Sequence, residues 1–222
     1  MGYFLLGSTS PDIRVITRRT REEYHFAPLD FRAIGEGVQS LFESNPSLDS
    51  SSVREGATQA FVAGYITHLI SDESWICRMY RPFFGNPEVF EDEAVGKIMD
   101  RALQLELDRQ SWNTVDATFD LLEAATDGVD VGFIPAETLA EWRQWLVTYL
   151  ATGFSWERIR FMARRIAAGD ESHPAHTLAD EFCRSMPESM ESLYQRVPRD
   201  NLGDYRGEAV ASIVRALEDY LP

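Results

Sequence analysis

The chain has 222 residues, a length that suits one domain, and 44% of it is hydrophobic, which argues against global disorder. Its formal net charge is −15, so the surface as a whole repels nucleic acid and anionic membrane. Neither of the two cysteines, Cys77 and Cys183, lies in a C-x-x-C pair, which argues against a thiolate zinc site and a disulfide framework and leaves two reduced thiols.

In chain order, the segment from Gly7 to Ile13 reads as a Ser- and Pro-rich turn beneath an apolar stretch. Residues 30–44 carry Phe31, Ile34, Val38, Leu41 and Phe42 at helical spacing. Ser52 and Glu55 have capping-box spacing and open a helix with Phe61, Tyr65, His68, Leu69 and Asp72 on one face. That helix should run to about Tyr80, stopped by Pro82 and Gly85. Residues 89–109 form the next helix, and Asn113 with Asp116 starts another holding Phe119 and Leu122. Pro135 sits at a first-turn position ahead of Leu139, Trp142, Leu146 and Tyr149. Ser155 can cap a helix with Trp156, Ile159, Met162 and Ile166, and Ser185 with Glu188 is a second capping-box candidate. The last helix holds Val210, Ile213, Val214, Leu217 and Tyr220. Strand signals are confined to Ile13–Thr17 and Val129–Ile134. The pattern predicts an all-α, single-domain bundle of seven to eight helices over residues 1–222. No stretch is long and apolar enough to span a membrane, and the start lacks a basic signal-peptide region, so the expected location is cytoplasmic.

The sequence contains only four histidines: His25, His68, His173 and His176. His68 and Asp72 form an H-x-x-x-D pair on one helical face, where an imidazole and a carboxylate can grip one divalent ion from the same side. Their flanks are apolar, and a buried polar pair needs partners. Asp12 alone reads as a cap or turn residue, and His25, between Tyr24 and Phe26, as a core histidine. His173-Pro-Ala-His176 reads as a loop entering a helix at Pro174, with a second metal half-site as the alternative. Four arginines, Arg14, Arg18, Arg19 and Arg21, fall between Asp12 and His25. Arginine forks match phosphate oxygens. Arg18 and Arg21 are the candidates to face an anionic substrate, against the alternative that all four pair with surface carboxylates.

Taken together, Phe4-Leu-Leu-Gly-Ser-Thr-Ser-Pro-Asp-Ile13, Tyr24-His25-Phe26 and Phe61-Val-Ala-Gly-Tyr-Ile-Thr-His68-Leu-Ile-Ser-Asp72 resemble, in this order, the N-terminal half of the bacterial zinc-dependent phospholipase C-like family. The resemblance covers about residues 3–80, and Gly64–Asp72 is its specific part. It implies an all-helical fold that holds metal between helices and hydrolyses a phosphate ester. By position it makes Asp12, His25, His68 and Asp72 the metal ligands and Asp108 a further carboxylate. The chain lacks the many histidines and N-terminal Trp of the trinuclear enzymes in the wider superfamily, so one or two ions are expected. The resemblance puts zinc first, while the donor set itself is compatible with zinc, manganese or iron. A carboxylate off the metal, Asp108 or Glu73, would serve as general base in attack by a metal-activated water on a small-molecule or lipid phosphoester. The competing functions are a non-catalytic helical protein with a structural metal, and an acidic helical protein that binds a protein partner.

Overall fold

The structure, a computed structural model, describes residues 1–52 and 56–221, with backbone alone at 115–117. It is 73% helix and has no strand among the described residues, as the all-α expectation requires. In chain order the elements are α1 (Gly2–Thr9), a 3₁₀ turn (Ser10–Ile13), α2 (Arg14–Thr17), α3 (Glu22–His25), α4 (Glu36–Ser44), α5 (Gly56–Trp75) and a π-helical continuation (Ile76–Phe84). There follow α6 (Glu93–Ser111), α7 (Val115–Glu123), α8 (Ala136–Ala151), α9 (Arg158–Ala167), α10 (Ala175–Arg184), α11 (Glu188–Arg196) and α12 (Arg199–Tyr220). These outnumber the expected helices because single-turn pieces such as α2 and α3 are too short to show a period.

The chain forms two compact units. The first comprises Met1–Ser74, Thr114–Thr152 and Gly207–Pro222; the second comprises Trp75–Asn113 and Gly153–Arg206. The core of the first unit is built around α5, where Phe61, Val62, Ala63, Tyr65, Ile66, Leu69 and Ile70 are all buried. A helix that is apolar on every side belongs in the interior, and Leu6, Ile13, Tyr24, Leu41, Trp142 and Leu146 complete its surround. The core of the second unit gathers Met79, Phe84, Ile98, Leu103, Ile159, Phe182 and Leu193.

Several local expectations are corrected. Pro82 does not stop the helix; it lies inside the π-helical segment, and the Gly85 amide reaches back five residues to the Tyr80 carbonyl at 2.7 Å. The wider turn relieves the clash between a proline ring and the carbonyl four residues earlier. The helix expected over 30–44 begins only at Glu36, after Gly35 at φ +105°. Arg14–Thr17 is a helical turn rather than a strand, and Val131 and Ile134 are core plugs from an irregular segment. The helix expected over 89–109 begins at Glu93, where Asp92 caps it by accepting from the Ala94 and Val95 amides. Pro187 rather than Ser185 stands at the start of α11, without a side-chain cap. The proposed Ser52–Glu55 capping box lies partly outside the described residues, as does any role for the Asp116 side chain.

No helix among the described residues is long and apolar enough to cross a membrane.

Candidate metal centre

Helix α5 organises the site through residues on one face, beginning with a glycine. A Cβ on Gly64 would lie 2.0 Å from the Phe4 carbonyl oxygen, and one on Gly7 would lie 1.9 Å from the Phe61 carbonyl oxygen. The backbones of α1 and α5 therefore touch, and only hydrogen fits at either position. This crossing brings the Ser8 carbonyl to His68, one turn beyond Gly64, at 2.8 Å from Nδ1. A carbonyl can only accept, so Nδ1 carries the proton and Nε2 presents its lone pair. Donation of the second ring nitrogen to a backbone carbonyl is how metal-binding histidines are ordinarily oriented.

The chain then turns sharply after α1. The buried Ser10 hydroxyl donates to the Leu6 carbonyl at 2.7 Å, Pro11 is buried, and fully buried Ile13 pins the end of the 3₁₀ turn. Asp12 lies on the exposed side of that turn. Two non-glycine residues in left-handed conformation, Arg18 at φ +58° and Phe26 at φ +57°, bracket the return segment that carries Arg21 and His25. The Tyr65 hydroxyl fixes this segment by donating to the Tyr24 carbonyl at 2.5 Å.

His25, 2% exposed, meets His68 edge to face with ring centroids 5.3 Å apart. One donor atom from each of Asp12, His25 and His68 lies within 4.8 Å of the others, a group that could hold a metal ion. The buried Nδ1 of His25 has no hydrogen-bond partner among the described residues. An orphaned buried nitrogen costs about 1–3 kcal/mol, and coordination would satisfy it. Burial first, and then the neighbouring His68 and Arg21, push the His25 pKa down to about 3, against the opposing pull of Asp72 and Asp12. The ring is therefore neutral near pH 7, as a metal ligand must be. On this chemistry the residues fit a divalent cation.

Of the four expected ligands the structure brings these three together. Asp72 lies one turn beyond His68 but stands outside the group; Arg21 engages both of its carboxylate oxygens, through Nη2 in a short contact and Nη1 at 3.5 Å. Arg18 is exposed at the end of α2. Glu73, offered as a general base, is 1% exposed, and its carboxylate accepts from the Gly35 amide at 2.5 Å and the Gly37 amide at 2.7 Å. That task is structural: it ties the loop before α4 to α5. Burial raises its pKa while the two amide bonds lower it. Glu73→Gln should cost about 1–3 kcal/mol, because the amide NH₂ would face one of two backbone donors. Chemical denaturation measures this, and an unchanged midpoint would contradict the assignment.

Asp108 belongs to α6 in the second unit. There crowding outweighs the nearby Arg158 charge and pushes its carboxyl up to about 6, although the residue as a whole is exposed. Neighbouring Glu106 is held by Arg109 and Gln110. The His173-x-x-His176 pair serves the start of α10: His173 Nδ1 accepts from the Ala175 amide at 3.1 Å, and His176 Nε2 lies 3.2 Å from the Asp170 carbonyl oxygen.

Sequence reasoning missed the tasks of Ser8, Gly7, Gly64, Tyr65 and the Arg21–Asp72 pair. Glycines inside two apolar helices were the available signal for a close backbone crossing. Comparison of the chain with protein-family models, curated proteins and solved structures gave no significant match.

Proposed function

We propose that the chain is a metal-dependent phosphoester hydrolase whose ion is held by Asp12, His25 and His68. The observation that carries the reading is the convergence of two imidazoles and a carboxylate, one imidazole already oriented by a carbonyl and the other buried with an unpartnered nitrogen. The three protein donors found among the described residues favour a catalytic over a structural role, since structural zinc sites close all four positions with protein ligands. The resemblance of residues 3–80 to the zinc-dependent phospholipase C-like family supports the phosphoester class.

A divalent ion bound there, zinc foremost, would supply an acidified water and a Lewis acid for a phosphoryl oxygen. The residues of this chain do the rest. Burial keeps His25 a neutral donor, and the Ser8 carbonyl orients the His68 ring through Nδ1. Exposed Asp12 leaves that side of the group open to solvent and substrate. Arg21, 12% exposed at its side chain and held by Asp72, supplies positive charge beside the group for an anionic substrate. Glu73 is committed to the Gly35 and Gly37 amides, which takes its carboxylate out of the role of general base.

Protein supplied with zinc, manganese or iron should hydrolyse at least one of a set of phosphomonoesters, phosphodiesters and phospholipids. His68→Ala should lower the rate about 100-fold or more, the scale on which losing a metal site acts. Arg21→Ala should weaken substrate binding more than it slows turnover. Metal-independent activity, or activity unchanged in His68→Ala, would overturn the proposal.

A further inference from the structure

Arg21 and Asp72 connect the chemistry of this site to its electrostatics. The Asp72 side chain is 27% exposed and Arg21 only 12%, so water screens their charges weakly. Asp72 sits one turn beyond His68 on α5, and the Arg21 carbonyl accepts from the His25 amide at 2.7 Å. The pair therefore stands beside the three-donor group. The guanidinium is incompletely satisfied as well. Asp72 takes its two terminal nitrogens, while buried Nε has no acceptor among the described residues. An arrangement that gave Nε an oxygen would lower the free energy.

Resting on the reading that Asp12, His25 and His68 hold a metal, we propose that the Arg21–Asp72 pair couples two ligands. A divalent cation and a tetrahedral dianion bind here with positive cooperativity. A cation at the three donors adds two positive charges next to a poorly screened guanidinium, and the two repel. A dianion that engages Arg21 offsets that repulsion and supplies an acceptor for Nε. It also takes over Asp72's place on the guanidinium, which releases the Asp72 charge to favour the cation. By linkage the effect is reciprocal: the cation strengthens anion binding by the same factor that the anion strengthens cation binding. The site thus discriminates for substrates that carry a tetrahedral anionic group and holds its metal most firmly when such a group is present.

The test is titration of chelator-stripped, tag-free protein with zinc, in chloride and in sulfate at matched ionic strength. Sulfate should tighten zinc binding to the wild-type protein by at least about fivefold, the low end of ordinary site-to-site coupling. In folded Arg21→Gln, zinc should bind more tightly than to wild type in chloride, and sulfate should no longer matter. Arg21→Lys, which keeps the charge without the fork, should retain only part of the sulfate effect. Equal zinc affinity of the wild type in the two salts removes the coupling alone, and this comparison needs no variant. A sulfate effect that persists in Arg21→Gln removes Arg21 from it. A wild-type protein that binds no zinc in either salt removes the metal reading and this inference together.

Discussion

Gly64→Ala should destabilise the protein by at least about 3 kcal/mol, in the tail of substitution effects occupied by clashes that the structure cannot relax. The added methyl would meet the Phe4 carbonyl oxygen at 2.0 Å and the Ser8 amide nitrogen at 2.8 Å, both backbone atoms of α1. No side-chain rotation relieves that contact; α1 must move off α5. Such a movement also separates the Ser8 carbonyl from His68 Nδ1, so any folded fraction should bind metal more weakly than wild type. Gly207→Ala is the control, because it adds the same methyl inside α12 with nothing within 4 Å. There the reduced backbone entropy of the unfolded chain should stabilise by about 0.5–1 kcal/mol. Equilibrium denaturation of both variants decides the matter. A small effect at Gly64 would contradict the close crossing on which the His68 orientation depends.

The second large effect is a pH dependence of the metal-free protein. His25 is neutral in the fold, with its pKa pushed down from 6.5 to about 3, chiefly by burial. Unfolding returns the ring to water, where it binds a proton below about pH 6.5. The stability linked to this group is therefore full above that pH and is lost as the pH falls from about 6.5 toward 3. Each unit of pKa is worth about 1.4 kcal/mol, so the whole window is worth on the order of 5 kcal/mol. Carboxylates elsewhere also titrate on acidification, so the informative quantity is the difference between wild type and His25→Gln. Wild type should lose stability more steeply between pH 6.5 and 4, measured in chelator by denaturation at each pH. Parallel curves would show that His25 does not carry the burial assigned to it.

The helical class was legible because α5, α6, α8 and α12 are long enough to repeat a period. His68 was legible too, since its scarcity, its apolar flanks and its spacing to Gly64 all bear on one helix. The local sequence could not show what Asp72 would contact. Its i,i+4 relation to His68 places it on the right face, but the competing partner, Arg21, arrives 51 positions earlier from a segment with no readable period. The contacts of Glu73 were hidden for a similar reason. Its carboxylate is taken by the amides of Gly35 and Gly37, and the sequence holds no trace that this loop docks against α5. A Cβ on Gly37 would meet the Glu73 carboxylate at 2.7 Å, so the glycine is what admits it. Continuation of the helix through Pro82 escaped notice because proline forbids an α-turn but not the wider π-turn. Ile13–Thr17 looked like a strand because its β-branched residues suit one; a tight turn pinned by Ile13 and a single helical turn use them instead.

The central claim is that Asp12, His25 and His68 hold one divalent ion, and metal content tests it most directly. Protein purified without chelator or affinity tag should carry zinc, manganese or iron at about one ion per chain, or take up zinc to that stoichiometry after stripping. His25→Gln and His68→Ala should each abolish tight uptake while remaining helical by circular dichroism. Folded wild-type protein that neither contains nor binds a divalent metal, or variants that bind it as wild type does, would contradict the account.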